Sequence, residues 1–136
     1  MFEAWTLRTE SVKQKAEKLR EVLRALDDPA RVGYYQKYEK VVKDPDTYAV
    51  LNWFFLAGLH HFYLGKLSRG LMNLGLMLGG ILLMTEAPGW GLLLILAVVA
   101  IELPALFRSQ VIVENNNIER GFSILDELKV VKPPIS

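Results

Sequence analysis

The stretch GLMNLGLMLGGILLMTEAPGWGLLLILAVVAIELPALF, residues 70–107, decides the fold, because its only ionised side chains are Glu86 and Glu102. A bilayer span needs about 20 mostly apolar residues, and Trp90 to Phe107 comes close to that length. The segment before it, taken from Ser68 to Thr85, makes a helix of roughly 27 Å, enough for a thin span. Glu86-Ala87-Pro88-Gly89 between the two has the residues of a turn. The reading is a transmembrane helical hairpin.

Upstream, Tyr48 to Leu64 is a further apolar run, but its clean part, Ala49 to Leu59, is about half a span and then meets His60-His61. Charge decides whether it crosses. If all three runs cross from an inside N-terminus, Lys66, Arg69 and Arg108 fall outside and Glu86 inside, so every short loop opposes the positive-inside rule. If the first run lies in the cytoplasmic interface or re-enters from it, those three cations are cytoplasmic and Glu86 faces out. The second arrangement is the expectation: an all-α membrane protein with a transmembrane hairpin and an interfacial or re-entrant first apolar helix.

Both flanks carry helical seams. Val12, Ala16, Leu19, Leu23 and Leu26 recur at four- and three-residue steps, as do Val111, Asn115, Ile118, Phe122, Leu125 and Leu128. These N- and C-terminal amphipathic helices are expected to pack on each other in the cytoplasm, with Asn115 setting register and a kink expected near Gly121. Ser11 with Gln14 has the form of a capping box, and Asp28 with Pro29 reads as the N-cap and first position of a second helix. That helix, to Lys43, carries Val32, Tyr35, Tyr38 and Val42 on one side. The basic hairpin it completes either packs within the protein or serves as an arm for a partner or lipid. Asp44-Pro45-Asp46-Thr47 is another break and cap, and Lys132-Pro133-Pro134 ends the ordered chain. The expected division is residues 1–46, 47–108, 109–130 and a tail at 131–136.

The 136 residues supply one domain, too little for a two-domain enzyme. Hydrophobic residues at 51% and charged residues at 23% are near the globular average, so distribution carries the information. Ten of the sixteen Lys and Arg residues lie in residues 1–46. A net charge of +1 gives no basic field for nucleic acid. The absence of cysteine removes disulfides, thiolate zinc sites and cysteine nucleophiles. Met1-Phe2-Glu3-Ala4-Trp5 lacks the pattern of a cleaved signal peptide, so a cytoplasmic N-terminus is expected.

At His60-His61-Phe62-Tyr63-Leu64-Gly65, followed by Gly70, the chain resembles the TM2 domain family. Those small membrane proteins are marked by a Gly-x-x-(His/Asp)-Arg-Phe-Tyr-x-Gly core, a later glycine and an acidic residue in the last hydrophobic helix. Gly58 stands three residues before His61; Phe62, Tyr63 and Gly65 match the core, Gly70 the later glycine and Glu102 the acid. The resemblance covers Tyr48 to Phe107, less than half the chain. His61 replaces the family's arginine, and the stretch from Gly70 to Glu102 is longer than usual, with a turn at Pro88-Gly89. The resemblance implies an internal ion pair of Glu102 with His61, or with Lys66 or Arg69 in the positive role. It implies a fold and no reaction; animal members are linked to signalling and to clearance of cells.

Glu102 is the most informative single residue. A carboxylate at membrane depth costs a few kcal/mol unless it is paired or protonated. It reads either as part of a proton or ion relay with a histidine or as a structural pair locking the first run to the last helix. Pro104 removes the N–H that would bond the Ala100 carbonyl, so a kink is expected there. Adjacent histidines on a helix point about 100° apart, unlike a chelating i, i+4 pair, so neither metal nor cofactor is expected. Ser68, Ser109 and Ser123 sit in no nucleophile-elbow context, and no catalytic residue is assigned. Gly75-x-x-x-Gly79, with Gly80 beside it, gives a small-residue face for the last helix or for another protomer. Asn73 can bond across that face, and Trp53, Tyr63 and Trp90 suit interfacial anchoring.

The expected function is that of a non-enzymatic assembly, scaffold or accessory subunit working through helix contacts, with Leu19, Leu23, Ile118, Leu125, Gly75 and Gly79 as packing positions. The alternative is a small oligomeric channel or transporter using Glu102 and His61. The expected partners are the lipid bilayer and either a second copy or another membrane protein. The expected location is a bacterial inner membrane with both termini cytoplasmic.

Overall fold

A computed structural model describes residues 6–54 and 58–131, and the regular structure among them is all helical. The helices are α1 (Thr9–Arg24), α2 (Asp28–Val41), α3 (Pro45–Phe54), α4 (Leu59–Tyr63), α5 (Leu67–Glu86), α6 (Pro88–Phe107) and α7 (Ser109–Val131). Of the expected tail only Val131 is described.

Side-chain caps mark the starts of α2 and α3, while α1 starts without one. α1 begins at Thr9, two residues before the expected cap, so Ser11 lies inside the first turn and its hydroxyl donates to the Arg8 carbonyl at 2.7 Å. For α2 the cap is Asp27, not Asp28: its carboxylate accepts from the Ala30 N–H at 3.2 Å, and Pro29 falls one position further in. At α3, Asp44 accepts from both the N–H and the hydroxyl of Thr47, at 2.7 and 2.8 Å. The Asp27 and Asp44 carboxylates satisfy backbone N–H donors that a helix start leaves open.

The seam of α1 meets α7. Val12, Leu19 and Leu23 pack with Ile118, Ile124 and Leu125 in one apolar cluster, each large aliphatic chain contributing about 1.5–3 kcal/mol by burial. Lys15 reinforces the register by donating to Asn115 Oδ1 at 3.1 Å. The α2 face is different from the one expected. Val32, Tyr35 and Val42 are exposed, and the residue driven inward is Tyr34, with Tyr38 and Val41 beside it. The reason lies in α7, which runs without interruption through Gly121. A Cβ there would lie 2.5 Å from the Tyr34 hydroxyl and 2.9 Å from Leu19 Cδ2. Gly121 is thus a recess for a ring, not a hinge. Asn117 clamps the end of α2: it accepts from the Lys43 N–H at 2.8 Å and donates to its carbonyl at 2.9 Å.

α5 and α6 form the most extensive helix pair, and both are long and apolar enough to cross a membrane. Ala87 alone separates them. They pack tightly at Gly80 and Gly91, where a Cβ on Gly91 would lie 2.6 Å from the Met84 backbone nitrogen and 2.7 Å from the Gly80 carbonyl oxygen. Gly75 and Gly79, the positions expected to pack, have nothing within 4 Å of a Cβ and so take no part in this hairpin. Helical geometry explains the choice, since Gly79 and Gly80 point about 100° apart and only one can face α6. Pro104 sits inside α6, which continues to Phe107.

The first apolar run is broken into α3 and α4, and neither reaches span length. Gly58 caps α4 at φ +93° and Gly65 follows it at φ +75°, left-handed values that a side chain rarely adopts. Between them Phe62 lies over Gly70, whose Cβ would come within 2.8 Å of the ring. The spaced glycines of the motif therefore build one corner, turning the chain into and out of a five-residue helix and seating it on α5. A second apolar cluster of Tyr48, Leu64, Ala105, Ile112 and Val113 ties this corner to α6 and α7.

Candidate functional site

The corner delivers two histidines to one carboxylate. His60 Nε2 lies 3.0 Å from Glu102 Oε2, and His61 Nε2 lies 3.2 Å from Glu102 Oε1. All three side chains are buried, at 0%, 7% and 1% exposure. Adjacent helical positions usually splay, yet here the rings are 4.1 Å apart and inclined by 42°. The difference from expectation arises because α4 is a single short helix that approaches α6 with Glu102 between its two histidines. Each ring then needs only its own carboxylate oxygen.

α3 supplies the wall. Tyr48 is buried and meets the His60 ring edge-on at 5.2 Å. One turn later, Asn52 donates to the main-chain carbonyl of Glu102 at 3.3 Å. Its Oδ1 and the Nδ1 of His60 are buried without a hydrogen-bond partner among the described residues, as are both polar atoms of Asn73. Asn73, expected to bond across α5, instead packs its Cβ and Cγ against Gly58. A site with unpaired polar atoms on its rim and a charged group at its centre is electrostatically incomplete, since such atoms cost free energy when left unmade.

Of the residues singled out in the motif, the fold brings His61 and Glu102 together and places Gly58, Phe62, Gly65 and Gly70 in the supporting corner. Lys66 and Arg69 start α5 and do not hold the Glu102 oxygens, which the histidines occupy. Tyr63 serves elsewhere: its hydroxyl accepts from the Asp44 N–H at 2.9 Å and Lys43 lies over its ring. Asn52 and Tyr48 were not singled out by sequence, and His60 was weighed only as the neighbour of His61. Tyr48 and Asn52 share one face of α3 by their i, i+4 spacing, and that was the one signal available for them.

Chemically, two imidazoles and a carboxylate can hold a proton in a shared hydrogen-bonded set or present a nitrogen–nitrogen–oxygen ligand set to a cation. No family model matches the chain, and no curated protein or solved structure matches it.

Proposed function

We propose that this chain is a non-enzymatic integral membrane protein, similar in its central corner to the TM2 domain family, that acts as an assembly or accessory subunit through helix contacts inside the bilayer. In this reading α5 and α6 cross the membrane, α3 and α4 rest at its cytoplasmic face, and both termini are cytoplasmic in an inner membrane of bacterial type. The observation that carries it is the outward face of α5. Gly75 and Gly79 open onto free space there, among exposed Leu71, Met72, Leu78 and Leu82. A small-residue pair one turn apart on a lipid-facing helix lets another backbone approach closely. The hairpin as a whole supports insertion, since only 17% of the apolar window of α5 and 22% of that of α6 is buried within the chain. Water-soluble domains rarely leave apolar patches of more than a few hundred Å².

The seams of α1 and α7 are occupied by one another, so Leu19, Leu23, Ile118 and Leu125 serve folding and leave the membrane face to serve assembly. The channel reading has less support: Glu102 and His61 lie inside one chain, behind Tyr48 and Asn52, rather than on a surface that two copies could share. The test is the native mass of the chain gently extracted from its membrane, with any co-purifying chain identified. Gly75→Leu with Gly79→Leu is expected to dissolve the assembly and leave helicity unchanged. An unaltered mass would sink this reading.

A further inference from the structure

We infer that His60, His61 and Glu102 form a binding site for one divalent transition-metal cation of the zinc class, a property beyond the assembly role and independent of it. The chain contains two histidines and no cysteine. Both of its nitrogen ligands therefore converge on one buried carboxylate. Their candidate ligand atoms lie within 4.8 Å of one another.

Distance is the first argument. Zinc-class ions bind imidazole nitrogen and carboxylate oxygen at about 2.0–2.2 Å in tetrahedral geometry, so neighbouring ligand atoms stand about 3.3–3.5 Å apart. The two histidine–carboxylate separations, 3.0 and 3.2 Å, are already close to that polyhedron edge. The two separations end on different oxygens, so side-chain rotation has to bring both nitrogens towards one oxygen and close the edge between them, within a cluster whose ligand atoms all lie within 4.8 Å of one another. Three protein ligands leave a fourth position for water or the second oxygen of Glu102.

The position of the imidazole protons is the second, independent argument. If the histidines only donated hydrogen bonds to Glu102, each proton would sit on Nε2 and the buried Nδ1 of His60 would be a bare acceptor. Asn52 Oδ1, on the residue that bonds the Glu102 carbonyl, is also a buried acceptor without a partner. Two acceptors cannot satisfy each other. With a cation on Nε2 the proton moves to Nδ1, which becomes a donor, as metal-bound histidines normally require of their second nitrogen.

Charge gives the third. A carboxylate shielded from water needs a compensating positive charge, which a divalent cation supplies. Neutral imidazole and carboxylate without thiolate form a ligand set of borderline character, which suits Zn²⁺, Fe²⁺ or Co²⁺ and is unlike the all-oxygen sets of Ca²⁺ and Mg²⁺.

The experiment uses the full chain in lipid nanodiscs, purified through a tag free of histidine and stripped with a chelator. Co²⁺ is the probe, because its visible bands report coordination geometry. One equivalent is expected to give intense bands of four-coordinate type, abolished by one equivalent of Zn²⁺. His60→Asn and His61→Asn, checked by circular dichroism for unchanged helicity, are each expected to lose the bands. Absence of any band in the stripped, folded wild-type protein overturns the site and leaves a hydrogen-bonded lock. Bands that survive in both histidine variants overturn it as well, since the ion would then be held elsewhere.

Discussion

At the scale of the residue, Tyr34 shows how a single contact selects a helix face. Its ring enters α7 at Gly121, where a Cβ would meet the phenol oxygen at 2.5 Å and Leu19 at 2.9 Å. Gly121→Ala is therefore expected to destabilise the α1–α2–α7 bundle by about 1–3 kcal/mol, the usual range for overpacking. Thermal melts of the single and double variants check it: adding Tyr34→Phe removes the clashing oxygen but leaves Leu19, so it should restore part of the loss. Burial, followed by the neighbouring Tyr38 and Tyr35, pushes the Tyr34 phenol up from 10.0 to about 12. A folded value above the unfolded one means that its contribution is fully present below pH 10 and is lost as pH rises towards 12. Alkaline unfolding should accordingly shift to higher pH in Tyr34→Phe; an unchanged midpoint would show that the phenol does not drive it.

Elements in this chain are held by polar clamps as much as by apolar seams. Asn117 closes both backbone groups of Lys43, so Asn117→Ala leaves a part-buried N–H and carbonyl without that partner. A loss of about 1–3 kcal/mol is expected, and hydrogen exchange localised at the end of α2 and the start of α3 is the measurement that distinguishes it from general loosening. How much of this was legible follows from the physics. The α5–α6 hairpin and the seams of α1 and α7 were readable because burial or lipid exposure imposes long periodic patterns, in which a boundary error of a residue changes little. The α2 face was not, because the adjacent Tyr34 and Tyr35, about 100° apart on the helix, are equally apolar and the recess that chooses between them lies in α7. Gly75 and Gly79 could not be told from Gly80 for the same reason: spacing finds a small-residue face, while the partner's position decides which glycine is used. At the site, Glu102 stood out as a lone acid in an apolar run and His61 came with the motif. His60 was weighed beside His61 and set aside on the step of about 100° between neighbours, because the sequence does not show that a five-residue helix bounded by two left-handed glycines sets both rings against Glu102.

On the scale of the whole molecule the hairpin is charge-polarised. Between Gly70 and Phe107 there is no Lys or Arg at all, so every described cation lies at the end where α5 starts and α6 stops. That end also carries α1, α2 and α7, docked to it through the Arg108 guanidinium, which donates to the Leu7 carbonyl, and through the apolar cluster under Tyr48. The opposite end offers only Thr85, Glu86 and the Ala87-Pro88 turn. If the hairpin crosses a membrane as proposed, cytoplasmic retention of cationic segments predicts one orientation, with the helical bundle inside and the turn outside. The absence of cysteine makes the claim directly measurable. Single cysteines at the exposed positions Lys18, Thr85 and Ser123 are each accessible on the surface of the fold. With a membrane-impermeant thiol reagent, the Thr85 cysteine is expected to react in intact cells and the other two only after the membrane is opened. Reaction of all three from one side would mean that the hairpin does not cross. Reaction of the Lys18 and Ser123 cysteines alone in intact cells would invert the orientation, and the positive charge would then have been outvoted by the bundle's own folding.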